Sequence, residues 1–290
     1  MKNYINLTLL FSLLFVLSCS SKKEQAPEYT PLFNSTDLSG WETYIGVPRA
    51  DVEVEGLAKD STGAFTEPIG FNKDPLAIFT VVSEDGEPAV RASGQVNGSL
   101  ATVGEFENYH YRMQVKWGTK KWLAGDRPRN SGLLYHGTGE YGLGLGVWKI
   151  SHECQVMETM FGDSYRMGDT YCNITATKPE GGDRFVYDPN GPSLEVGGGK
   201  EAGKIVSKSV MAEKPYGEWN TVEIVCFEDK SYHIINGVVN MINTNSHLEV
   251  EGQVIPLTKG NIQLQSEGSE VFFRKMEIRE ITAVPEEYLK

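Results

Sequence analysis

The chain has 290 residues, 40% hydrophobic and 23% charged, with a formal net charge of −12 at pH 7. That length and apolar content suffice for one large core or two small ones. The acidic balance lacks the basic footprint of a nucleic-acid binder, so no nucleic-acid partner is expected.

In chain order, residues 1–18 read as a lipoprotein signal peptide. Lys2 is followed by an apolar run from Leu7 to Leu17, too short to span a bilayer comfortably. "VLSC" then places Cys19 at the end of that run, in the manner of a bacterial lipoprotein processing site. An ordinary signal peptide with an incidental cysteine is the plainer alternative. Residues 19–30 are expected to be a lipidated cysteine and a flexible linker, since "SSKKEQAPEYT" has neither helical nor strand periodicity. The expected location is membrane-anchored through the lipid, facing the periplasm or the cell surface.

Residues 31–290 read as one β-rich domain. Tyr109 to Trp117 ("YHYRMQVKW") sets Tyr109, Tyr111, Met113, Val115 and Trp117 against His110, Arg112, Gln114 and Lys116. Thr221 to Phe227 puts Val222, Ile224 and Cys226 on one face. "SYHIINGVVNMI" predicts two strands joined at Asn236-Gly237, a strong hairpin signal. "GNIQLQSEG" and "EVFFRKMEIREI" add two more strands near the C-terminus. Many short strands between Gly, Pro and Asn turns predict an all-β sandwich or jelly roll. Residues 52–75 and 183–215 read as long surface loops, the latter containing "EVGGGKEAGK".

Cys154, Cys172 and Cys226 cannot all pair within one chain, so buried free thiols are expected, with a Cys154–Cys172 bridge as the alternative. "HECQV" fails as a zinc motif because Val156 stands where the second histidine belongs, and the local pattern is β. The glycine runs lack a strand-loop-helix setting, so no nucleotide cofactor is expected. There is no G-x-S-x-G elbow.

The informative stretch is "KISHECQVMETMFGD", Lys149 to Asp163. With period two, His152, Cys154 and Val156 share one face, and Ser151, Glu153, Gln155 and Met157 the other. The Cys154/Val156 face belongs to the core, so Glu153 and Gln155 point away from it. His152 lies at the strand entry and Glu158 towards its exit. In "GNIQLQSEG", Ile262 and Leu264 face the core while Gln263, Gln265 and Glu267 face away. The two polar sets are either a solvated sheet face or the walls of one concave groove. Carboxylates and amides suit sugar hydroxyls, and Tyr135, Trp148 and Tyr165 are candidate platforms for sugar rings.

"PLFNSTDLSGW", "NSGLLYH", "ECQVME", "GEWNTVEI", "ING" and "IQLQSEGSEVFFRKMEIREI" occur in that order. From Pro31 to Ile281 this pattern resembles the 3-keto-disaccharide hydrolase family. The resemblance implies a concanavalin-like jelly roll of two antiparallel sheets. It also implies activity on sugars oxidised at C3 by a separate sugar 3-dehydrogenase. Many members of the family read Glu-x-Gln-x-x-Asp where this chain ends in Glu158, and Gln-Asp-His-Gly where it has Gln265-Ser-Glu267-Gly268.

A 3-keto group acidifies the proton on C2. Its removal gives an enolate that expels the C1 substituent, and later addition of water gives net hydrolysis. The route needs a base at C2, positive charge near the ketone oxygen, and an acid near the glycosidic oxygen. Glu153 is the first candidate, as base or metal ligand. His152 and His136 are candidates for acid–base work, and Lys116 for the cation. Gln155, Gln265, Glu267, Arg129, Tyr135 and Trp148 are candidates for binding substrate, Arg129 also as a cation. A divalent metal held by Glu153 and Glu158 is a candidate cofactor. The other function class is a non-catalytic carbohydrate-binding lipoprotein using the same groove.

Overall fold

The computed structural model describes residues 27–289. The proposed signal peptide and Cys19 lie outside the described residues. The described chain is almost entirely β, its one helical element being the short 3-10 turn Glu286–Tyr288.

Two sheets pack face to face. One runs in the order Phe79–Glu84, Glu87–Ala92, Ser269–Glu280, Tyr109–Lys121, Asn220–Phe227, Lys230–Ile235 and Val238–Val250, all antiparallel. The other runs Gly70–Phe71, Trp41–Ile45, Gly98–Thr102, Lys259–Ser266, Asn130–Thr138, Ile150–Met157 and Ser164–Met167. Val238–Val250 leaves the first sheet in its second half and pairs with Thr170–Thr177, so the two layers share strands at one end. The architecture is a jelly-roll sandwich.

The core lies between the sheets. Tyr109, Tyr111, Met113, Val115, Trp117, Val222, Ile224 and Cys226 meet Leu133, Cys154, Val156, Ile262 and Leu264 there. These are the apolar faces that period-two alternation selects. Asn236 and Gly237 both have positive φ, 50° and 81°, as a tight primed hairpin turn requires. Cys154, Cys172 and Cys226 are buried free thiols. The segment 183–215 differs from the expected irregular loop. It contains the short strands Phe185–Tyr187, Ser193–Val196 and Ile205–Ser207, because its backbone groups extend the second sheet and the shared-strand end.

The outer face of the second sheet is also covered. Trp148 and Val147, from the glycine-rich segment that precedes Ile150–Met157, pack on Leu134 and Met167 with Tyr44 and Tyr165 alongside. This small second apolar layer turns an open sheet face into the wall of a pocket.

Candidate active site

Three adjacent strands build the pocket. Ile150–Met157 contributes Glu153 and Gln155, and Lys259–Ser266 contributes Gln265, each turned away from the core as alternation requires. Asn130–Thr138 lies between them, with Gly132 opposite Gln155 and Leu133 opposite Leu264. Gly132 allows the convergence. A Cβ there would overlap both Glu153 Oε1 and Gln265 Oε1. Glu267 follows Lys259–Ser266 and bridges to Asn130. Tyr165 comes from the next strand over, opposite Glu153 in register. The resulting cavity is about 150 Å³, with Leu145, Trp148 and Met167 as its apolar wall.

The electrostatics are those of two acids in one pocket, Glu153 buried and Glu267 partly buried. Burial pushes Glu153 well above the usual carboxylate range, and the neighbouring Glu267 charge adds to this; Arg166, behind the sheet, offsets it in part. Glu267 is pushed up to about 7 by burial, against a hydrogen bond from Asn130. Two like charges in one pocket do not both ionise easily, which is why the Glu267 charge adds to the rise at Glu153. Gln265 Oε1 is buried with no donor among the described residues. It abuts the same point above Gly132 as Glu153 Oε1. Burial, then the charges of Glu153 and Glu267, raise the Tyr165 hydroxyl too, so it stays protonated.

Glu153, Gln155, Gln265, Glu267 and Trp148 line this pocket, as does Tyr165. The structure places the other candidates elsewhere. His152 shares the interior face with Cys154, where it contacts Arg166 and Ser246. Burial, then the Arg166 charge, push its pKa well down, so it is a neutral interior group and not a residue at the groove edge. His136 has φ 53° at an irregularity in its strand, which also turns its ring inward; its Nδ1 donates to Leu257 O at 3.1 Å. Burial lowers its pKa to about 4. Tyr135 is an interior residue as well, its hydroxyl 2.7 Å from Ser231 Oγ and 3.0 Å from His233 Nε2, so it is no sugar platform.

Lys116 lies on the opposite sheet and pairs with Glu84 and Asp85. Arg129 bonds Glu158 Oε1 at 2.8 Å and stacks on Tyr216. Glu158 also accepts the Arg129 backbone N–H, so both of its carboxylate oxygens are engaged by Arg129. Glu158, Lys116 and Arg129 do not line the pocket that holds Glu153. Asn130, which lines the pocket, and Gly132, beneath it, are positions that the sequence pattern did not mark. The available signal was a glycine inside a strand, which marks a close approach.

The fold and pocket define an all-β sandwich whose second sheet gathers buried acids and amides on its outer face. The chain belongs to the 3-keto-alpha-glucoside-1,2-lyase-like domain family, whose model matches residues 28–279. That membership makes it a carbohydrate-active protein. No curated protein matches it. Among solved structures, it is similar to a candidate glycosyl hydrolase from Parabacteroides distasonis, 18% identical, with TM-score 0.44 and coverage of 87% of this chain and 94% of the other. A second candidate glycosyl hydrolase from that organism is 20% identical, with TM-score 0.41 and coverage of 72% and 93%. A carbohydrate-binding module from Bacillus subtilis is 8% identical, with TM-score 0.40 and coverage of 70% and 92%.

Proposed function

We propose that the protein cleaves the glycosidic bond of 3-keto-glycosides, with Glu267 as the base at C2. A carboxylate with a pKa of about 7 is matched to proton abstraction near neutrality. The C2–H bond electrons move into the enolate, whose oxygen is the former ketone oxygen. Protonated Glu153 and the Tyr165 hydroxyl donate hydrogen bonds to that oxygen, in place of a cation. Environments that push two acids' pKa values apart assign one to donate and one to accept. Collapse of the enolate forms the C1–C2 double bond and breaks the C1–O bond. The departing oxygen takes up a proton, and addition of water to the double bond gives net hydrolysis. The pocket is small, so it takes one sugar ring and leaves the aglycone at the opening.

The observation that carries this reading is geometric: a buried Glu153 and a partly buried Glu267 line one pocket with Gln265 and Tyr165, and burial pushes both carboxyls up. The test is NMR of a 3-keto-glycoside and its unoxidised parent in D2O. Deuterium should enter at C2 of the keto sugar and the aglycone should be released, while the parent stays intact. Glu267→Gln should abolish both events. Binding of both sugars without exchange or release would identify a carbohydrate-binding module instead. The substrate requires an upstream oxidation at C3, the work of a sugar 3-dehydrogenase. We further propose that Cys19 carries a lipid anchor facing the periplasm or the cell surface. Fatty-acid labelling of the wild type, lost in Cys19→Ala, tests it.

A further inference from the structure

We propose that Glu195, His247 and Glu249 form a divalent transition-metal site, separate from the sugar pocket, that ties the glycine-rich 197–204 loop to the strand Val238–Val250. The topology assembles it. Thr170–Thr177 is flanked by Ser193–Val196 on one side and by the end of Val238–Val250 on the other, with Asn173 opposite Glu195 and Tyr171 opposite His247. His247 and Glu249 are two residues apart on one strand and share a face. One ligand atom from each of the three side chains lies within 4.8 Å of the others.

The imidazole points to a cation independently of the acids. His247 is only 3% exposed and its ring stacks on Tyr171. Its Nδ1 lies 2.7 Å from the Asn245 carbonyl oxygen, which can only accept, so the ring proton is on Nδ1. Nε2 is the nitrogen left free to ligate, presenting a lone pair in the neutral ring, and it faces Glu195 Oε1 at 3.6 Å. Among the described residues Nε2 makes no hydrogen bond. A backbone carbonyl fixing the far nitrogen is also the usual way a ligating histidine is oriented.

Lys200 marks where positive charge is wanted. Its Nζ lies 3.0 Å from Glu195 Oε2 and 2.9 Å from Glu249 Oε1. The ammonium balances one of two negative charges and leaves the imidazole unengaged. A divalent ion balances both and accepts the Nε2 lone pair. Partly exposed ammonium–carboxylate pairs are weak, and the Glu195 and Glu249 side chains are 39% and 35% exposed, so they can draw in to bonding distance. Lys200 is carried by a loop with glycines at 197, 198 and 199 and can swing outward. One imidazole with two carboxylates suits Zn²⁺, Mn²⁺ or Co²⁺ better than Ca²⁺.

The test is titration of the metal-stripped full chain with Co²⁺, followed by calorimetry and by the visible Co²⁺ absorption bands. The wild type should take up one equivalent. His247→Ala should abolish it, and Glu249→Gln, on a partly exposed side chain that leaves folding intact, should weaken it by about tenfold or more. Lys200→Met removes the competing ammonium and should tighten binding by about tenfold. Glu153→Gln should bind Co²⁺ as the wild type does, which separates this site from the sugar pocket. Absence of stoichiometric Co²⁺ in both the wild type and Lys200→Met, or binding indifferent to Glu249→Gln, would overturn the proposal and leave Lys200 as the resident cation.

Discussion

Gly132 shows how one missing atom shapes the pocket. Two side chains from strands on either side of it place their oxygens where its Cβ would be. Both obstructing atoms are side-chain ends rather than backbone, so Gly132→Ala should fold and should displace them. We expect turnover to fall by about 100-fold or more, the usual worth of positioned acid–base groups, with circular dichroism unchanged. Wild-type turnover in that variant would show that the Glu153–Gln265 contact is idle. Glu153→Gln tests the donor role. The amide still donates a hydrogen bond but supplies no acid proton. C2 exchange should therefore persist at a reduced rate, whereas Glu267→Gln removes it. Equal loss in both variants would make Glu153 part of the base. The alternation of "HECQV" already turned Glu153 away from Cys154, and this residue-scale reading agrees with the structure. The same alternation placed His152 on the Cys154 side, where the structure buries it, but its partners Ser246 and Arg166 were not legible because they come from separate strands.

Among elements, the segment leading into Ile150–Met157 does more than connect strands. Its Trp148 is 1% exposed, donates from Nε1 to Gly98 O at 3.2 Å, and packs on Leu134 and Met167. It walls the pocket and so keeps Glu153 dry. Trp148→Ala should lower stability by about 3–5 kcal/mol, the range for deleting a buried aromatic. It should also move the acidic limb of the pH–rate profile down, because water entering the pocket relaxes the burial that raises Glu267. Urea denaturation and the pH dependence of kcat/KM measure the two effects. A profile that stays in place would mean that the wall does not set the site's dielectric. Strand faces were readable element by element, since each core face follows period two. The inward turn of His136 was not, because it depends on an irregularity in pairing that no local pattern announces.

At the scale of the whole molecule, buried ionisable groups make stability depend on pH in two opposing ways. Burial depresses His136 to about 4 and His233 to about 3. The unfolded chain binds those protons first as pH falls below 6.5, so stability rises with pH across the window from about 4 to 6.5. Glu267 works the other way. Its folded pKa is about 7 against 4.5 unfolded, so the native state holds the extra proton and stability declines as pH rises from 4.5 to about 7. Glu267→Gln removes that decline. Relative to the wild type, the variant should gain up to about 1.4 kcal/mol per pH unit in this window and no more above it. Urea unfolding of both proteins at several pH values would show it, and a constant difference would place Glu267 in an ordinary solvated environment. The sequence by itself determined the all-β class, the core faces, the Asn236-Gly237 hairpin and the outward aim of Glu153, Gln155 and Gln265. Each depends on local periodicity or turn chemistry, which neighbouring residues encode. Only the tertiary structure decided that Glu153 and Glu267 share one pocket, that Gly132 makes room for Glu153 and Gln265, and that Lys116, Arg129 and His136 stand apart. Those facts depend on which strands lie side by side, and strand order is set by the packing of the whole sandwich.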